Sequence, residues 1–113
     1  MSETCLFCRI VRKEIAATIV AENDDCIAFR DINPQAPVHI LVVPREHVES
    51  LDQARDAEML GRVLLMVAEI AREQRIAGTG YRTVLNTNAG AGQTVFHLHA
   101  HVLGGRKMTW PPG

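Results

Sequence analysis

The sequence lacks the marks of several large protein classes. No run approaches the ~18 consecutive apolar residues of a membrane-spanning helix. The opening "MSETCLFCRIVRKE" has no apolar stretch of the kind a secretory signal needs, so a cytoplasmic protein is expected. Excess positive charge is also missing. Lys and Arg number 12 against 13 Asp and Glu, a formal net charge of -1, which leaves no electrostatic footprint for nucleic acid. There is no internal repeat, low-complexity tract or interdomain linker. Cysteines are few and odd in number (Cys5, Cys8 and Cys26), which argues against a disulfide framework. What remains is a chain of 113 residues, 47% hydrophobic and 22% charged. That suits one globular domain over 1–113, large enough to bury a core without staples.

Several segments read as strands. "TIVAE" (18–22) and "CIAFRD" (26–31) flank a polar hairpin turn, "NDD", at 23–25. Pro34 and Pro37 make "DINPQAP" a loop. "VHILVVP" (38–44) is β-branched and almost continuously apolar, as a central strand would be. "YRTVLN" (81–86) and "VFHLHAHVL" (95–103) are strands on either side of a glycine-rich loop, "TNAGAGQT". "CLFCRIVRKEI" suits a short N-terminal helix, and Pro111 and Pro112 forbid regular structure in the tail. Cys26, in "CIAF", reads as a small buried hydrophobe.

One long helix is predicted over 56–76. Leu60, Val63, Leu64, Val67, Ile70 and Ala71 recur at i, i+3, i+4, i+7, i+10 and i+11. Met59 and Met66 widen the stripe beyond one face. Such a helix needs a second surface to bury against, either deeper core or another subunit that Gly61 lets approach closely. Gly78 and Gly80 are the expected stop. Strands before and after a single long helix predict an α+β fold on an antiparallel sheet.

Three of the five histidines crowd into "HLHAHVL" (97–103), at every second position. Strand alternation would put His97, His99 and His101 on one face and Leu98, Ala100 and Val102 on the other. Same-face neighbours lie ~6.5–7 Å apart, so the row can span a phosphate and the groups attached to it. Imidazole, with an unperturbed pKa of ~6.5, serves as nucleophile, acid or base near neutrality. A solvated edge-strand face accounts for one histidine but poorly for three in alternation. A tris-histidine metal site is disfavoured, because the outer pair of a flat strand sit ~13 Å apart. Just upstream, Gly90 and Gly92 let backbone N–H groups turn toward an anion, and Thr94 adds a hydroxyl donor.

"HLHAHVL", as His-φ-His-φ-His-φ-φ, resembles the histidine triad (HIT) superfamily. The likeness extends over nearly the whole chain. "DINPQAPVHILVVPREH", "GYRTVLNTNAGAGQTVFHLHAHVLGGR" and the terminal "WPPG" are similar to the Hint branch, the histidine triad nucleotide-binding proteins, which are purine nucleoside phosphoramidases. The lack of a proline before His99 and the short chain depart from the galactose-1-phosphate uridylyltransferase pattern. The Gln-Thr ending of the glycine loop fits Hint better than the dinucleoside polyphosphate hydrolases. The resemblance implies an antiparallel sheet of about five strands with one long helix and a short N-terminal helix. It also implies a C2 homodimer, since "WPPG" in relatives reaches toward the other subunit's active site.

By this resemblance His99 is the nucleophile. It would attack the α-phosphorus of an adenosine phosphoramidate or acyl-adenylate, and water would release AMP from the nucleotidyl-histidine. His101 and backbone N–H groups near Gly92, Gln93 and Thr94 would stabilise the equatorial oxygens. His39, otherwise an ordinary half-buried strand histidine, would orient or relay protons. His97 completes the triad. Asn86 and Thr94 match residues that contact the phosphate or leaving group. Asp31 matches the acid that accepts from the ribose hydroxyls. Phe7, Ile10, Ile15, Phe29 and Ile32 match an apolar slot around the purine, though core packing would explain them equally. Position 30 is Arg where relatives often carry His. Two other functions stay open: a dinucleoside polyphosphate hydrolase, and a nucleotide-binding regulatory or scaffold protein with weak catalysis.

Cys5-x-x-Cys8 has metal-ligand spacing but is only half a site. Histidines are the natural complement, and His47, in "PREHVE", has no other assigned role. Some HIT proteins hold zinc with two N-terminal cysteines, a histidine after the central strand and the first triad histidine. The matching set is Cys5, Cys8, His47 and His97. It implies one structural zinc per subunit, with all four tetrahedral positions filled by protein.

Overall fold

The computed structural model describes residues 4–113; residues 1–3, part of the domain expected over 1–113, lie outside the described residues. The elements run α1 (Leu6–Val11), β1 (Ile19–Glu22), β2 (Cys26–Arg30), β3 (Val38–Pro44), α2 (Ala57–Glu73), β4 (Tyr81–Val84) and β5 (Ala100–Gly104), with short 3-10 turns at Leu51–Gln53 and Ala89–Ala91. The strands form one antiparallel sheet in the order β1-β2-β3-β5-β4. This is the α+β arrangement expected. No helix is long and apolar enough to cross a membrane among the described residues.

Both faces of the central strands are covered, which explains the unbroken apolar run of β3. Cys26, Ala28, Ile40, Val42, Ala100 and Val102 point to α2 and pack with its Val63, Val67 and Ile70. Ile27, Phe29, Leu41 and Val43 point the other way and pack with Phe7 and Ile10 of α1. Cys26 is buried in this way, and burial pushes its thiol up to about 11. The polar turn at 23–25 closes as expected, with Asn23 Oδ1 accepting from the N–H groups of Asp25 and Cys26 at 2.8 Å each.

The structure corrects several boundaries. The helix expected over 56–76 is Ala57–Glu73. Asp56 is its N-cap, accepting from the N–H of Glu58 and Met59. Its end is set before the glycines: Arg75 takes a left-handed φ of 61°, and Ile76 N–H returns to Ala71 C=O at 3.0 Å. That is a Schellman closure made by arginine, with Ile76 buried behind it. Met59 and Met66 are core, whereas Leu64 and Leu65 are exposed on the outer side of α2.

The strand expected over 95–103 begins only at Ala100. Its ladder with β3 ends at the pair Val42–Ala100, because the next same-face position of β3 is Pro44, which has no N–H to give. Leu98 N–H is taken instead by Val48 C=O at 2.7 Å. His97 and His99 therefore lie on irregular backbone, and only His101 is in the strand. The alternation persists all the same, since Leu98 joins Ala100 and Val102 in the helix-side core.

Candidate active site and metal centre

The histidine face meets the α1 side of the sheet along a cleft of about 390 Å³. That volume lies within the range of small-molecule sites. Eleven residues expected from the sequence line it: Phe7, Ile10, Ile15, Phe29, Asp31, Ile32, Asn86, Gly92, Thr94, His99 and His101. Leu6, Ala16, Ala17, Leu41 and Val95 also line it and were not foreseen. Their small or aliphatic side chains carry no signal that separates a cleft wall from core. Arg30 stands at the same cleft, exposed. His39, His97 and Gln93 were expected at the site but do not line the cleft.

Each of these three has a visible occupation. Gln93 is buried and ties the glycine loop together. Its Oε1 accepts from Asn88 N–H at 2.7 Å and its Nε2 donates to Glu49 C=O at 2.8 Å and Val95 C=O at 3.1 Å. The loop also spends its own donors internally. Gly92 N–H bonds Ala89 C=O and Gln93 N–H bonds Asn88 C=O. The anion nest expected over 92–94 thus narrows to Thr94, whose N–H makes no main-chain bond among the described residues.

Hydrogen-bond logic fixes the histidine tautomers, because a main-chain N–H can only donate and a C=O can only accept. His99 Nδ1 lies 2.7 Å from His97 C=O. Nδ1 therefore carries the proton, and Nε2 keeps a lone pair. Gln35 N–H donates to His39 Nδ1 at 3.0 Å, so His39 is protonated at Nε2. That Nε2–H faces His101 Nδ1 at 2.9 Å and Asp31 Oδ2 at 3.5 Å. His101 must then carry its own proton on Nε2. The neutral site holds a lone pair on His99 beside a donor on His101, their rings 5.0 Å apart.

Burial keeps these rings neutral. It lowers the pKa of His99 and of His39, and pushes His101 down to about 4 with help from the neighbouring His99 and His39. Asp31, His39 and His101 lie close enough together to hold a metal ion. However, His39 already uses both nitrogens, so this cluster is a hydrogen-bonded chain rather than an open metal site.

His97 faces a different group. It is fully buried, and its Nε2–H donates to Pro44 C=O at 2.7 Å. Its Nδ1 lies 3.5 Å from both Cys5 Sγ and Cys8 Sγ and 3.3 Å from His47 Nδ1, while Cys8 Sγ lies 3.2 Å from His47 Nδ1. Zn–S of ~2.3 Å and Zn–N of ~2.0–2.1 Å give tetrahedral edges of about 3.3 Å for N···N and about 3.6 Å for S···N. The His97–His47 separation and both Cys–His97 separations match those edges, and all four donors lie within 4.8 Å of one another, so the set can hold a metal ion and is compatible with zinc. Burial and the adjacent Cys5 push the Cys8 thiol up. The bond to Pro44 is the kind of outer support that fixes a metal-binding tautomer.

The comparisons with known proteins agree with this geometry. A profile described as HIT domain matches residues 12–108. A HIT-like protein of Synechococcus elongatus is 52% identical over 100% of both chains. The crystal structure of a HIT family hydrolase from Legionella pneumophila superposes with a TM-score of 0.95 at 46% identity, covering 97% of this chain and 100% of that one. A HIT family hydrolase from Clostridium thermocellum gives 0.93 at 41%, covering 96% of each. On the strength of these matches, the chain belongs to the HIT domain family.

Proposed function

We propose that the protein is a purine nucleoside phosphoramidase acting through a nucleotidyl-histidine. The observation that carries the reading is the tautomer of His99: Nδ1–H is committed to His97 C=O, leaving Nε2 as a neutral nucleophile. In the first step His99 Nε2 forms a bond to the α-phosphorus, and the bond from phosphorus to the amine breaks. The amine leaves with a proton taken up from solvent, which the attacking water gives back in the second step. The imidazole becomes cationic, and the His97 carbonyl stabilises that charge through the retained Nδ1–H. His101 Nε2–H donates to a phosphoryl oxygen, where negative charge builds. Thr94 adds its hydroxyl and N–H. Water then attacks phosphorus, the P–Nε2 bond breaks, and AMP departs. Asp31 would accept from the ribose hydroxyls, and Phe7, Ile10, Ile15, Phe29 and Ile32 would flank the base. Asn86 would contact the leaving group. Zinc held by Cys5, Cys8, His47 and His97 would be structural, tethering α1 with Phe7 and Ile10 to the segment that presents His99. A reducing, cytoplasmic setting would suit the free thiols.

The test is a steady-state comparison of adenosine 5′-phosphoramidate with diadenosine tetraphosphate. We expect kcat/KM to favour the phosphoramidate by at least about 10-fold, or ~1.4 kcal/mol of transition-state discrimination. Preference for the dinucleotide, or hydrolysis of neither, would overturn the reading.

We also propose a homodimer through α2. Gly61, Leu64 and Leu65 are spaced i, i+3, i+4, and both leucines are exposed. A Cβ on Gly61 would meet nothing within 4 Å inside the subunit. Gly61→Glu should therefore leave the fold intact and separate the subunits, read as monomer by sedimentation with unchanged circular dichroism. A wild-type protein that sediments as a monomer at micromolar concentration would sink the dimer.

A further inference from the structure

We infer that Arg106 is a positioning residue for the histidine relay: it holds the loop whose Gln35 N–H decides which nitrogen of His39 carries the proton, and so where the proton sits on His101. This rests on the active-site reading above.

Residues 31–37 leave β2 and turn into β3. The loop fastens itself in part. Asp31 Oδ1 accepts from Asn33 N–H at 2.8 Å, Gln35 Nε2 donates to Asn33 C=O at 3.0 Å, and Asp31 N–H donates to His39 C=O at 3.0 Å. Its central part, where Gln35 N–H meets His39 Nδ1, is held from outside. Arg106 Nε donates to Gln35 C=O at 3.0 Å. Beside it Gly105, at φ 87°, packs so closely on Pro37 that an added Cβ would lie 2.9 Å from the proline Cβ. Residues 105 and 106 directly follow β5, the strand that carries His101. The turn after β5 thus grips the loop that orders the imidazole opposite its own strand.

The consequence follows from donor counting. With the Gln35 carbonyl released, its residue can rotate and withdraw its N–H from His39 Nδ1. His39 can then be protonated at Nδ1, which turns its Nε2 into an acceptor. Two acceptors cannot face each other at the 2.9 Å that separates His39 Nε2 from His101 Nδ1. His101 would answer by moving its proton to Nδ1, and the donor toward the phosphoryl oxygen would be lost. Arg106 touches neither substrate nor reacting atoms, and its bond is exposed, so the effect is that of one ordinary hydrogen bond.

The experiment compares Arg106→Leu with Arg106→Gln. Glutamine places an amide nitrogen on Cδ, where arginine carries Nε, so it keeps the donor and drops the charge. Two quantities are read: ring ¹⁵N chemical shifts of His39 and His101 in the ligand-free protein, and kcat and KM on adenosine 5′-phosphoramidate. Leucine is expected to mix the tautomers of both rings and to lower kcat about 3- to 10-fold with KM held within about two-fold. Glutamine is expected to restore both. Wild-type ring shifts in the leucine variant, or a glutamine variant as disturbed as leucine, would overturn the assignment. If the wild-type protein cleaves no phosphoramidate, the functional reading fails on its own, and the ring shifts still decide the role of Arg106.

Discussion

Replacing His99 with glutamine is expected to lower kcat by at least ~10⁴-fold while purine nucleotides still bind. No other group in the cleft offers a lone pair in the same place. The His101 lone pair is on Nδ1 and is occupied by His39. Loss of a covalent nucleophile removes the intermediate altogether, and residual hydrolysis would depend on water attacking directly. Glutamine is a better probe than alanine here. The His99 ring packs edge-on against Phe7 at 5.0 Å, so truncation would open a hole beside the proposed purine slot as well as remove the proposed nucleophile. Calorimetric titration with AMP and single-turnover kinetics on adenosine phosphoramidate separate the two effects. Turnover within ten-fold of wild type would show that His99 is not the nucleophile.

Chelation, or Cys5→Ser, is expected to lower Tm by at least about 10 °C, corresponding to a loss of a few kcal/mol for a domain this size. The reason lies in the donor set. Two thiols and two imidazoles lie within 4.8 Å of one another, four of their separations at 3.2–3.5 Å, so that one cation could satisfy all of them together. His97 cannot turn away, because its other nitrogen is held by Pro44 C=O. Elemental analysis of protein purified without a metal-affinity tag should give one zinc per chain. Nucleotide affinity should fall with stability, because Phe7 and Ile10 lie on the helix that the two cysteines anchor. Wild-type protein that carries no metal as purified, and whose melting curve Cys5→Ser leaves unchanged, would reduce the motif to two ordinary thiols.

The strands, the long helix and the histidine face were legible because side-chain periodicity is local. The alternation of Leu98, Ala100 and Val102 against His97, His99 and His101 needs no knowledge of the rest of the chain. The start of β5 was not legible, since it depends on Pro44, more than fifty residues away, failing to offer an N–H. The end of α2 was misplaced for a similar reason: glycine is the usual left-handed residue, and Arg75 took that conformation with Ile76 buried behind it. Asp31 and the polar groups of the cleft were legible by resemblance. Leu6, Leu41 and Val95 were not, as an aliphatic side chain reads the same on a cleft wall as in a core. The division between His97 and His99, one to the sulfur cluster and one to the cleft, was expected from the resemblance. The tautomers that define their chemistry required the main-chain partners.

The donor cluster also bears on biosynthesis. Its members at positions 5 and 97 are 92 residues apart. A ribosome adding roughly 5–20 residues per second therefore takes on the order of 5–20 s to supply the last donor after the first. By the middle of that interval α1 can lie on β2 and β3 through Ile27, Phe29, Leu41 and Val43, but the cleft still lacks the side that Asn86, Gly92, Thr94 and His99 supply. The thiols made first stay open to any soft metal or oxidant in the cell. His97 of the donor cluster, Gly92 and Thr94 of the cleft, and His99 and His101 thus arrive together, within a stretch of ten residues.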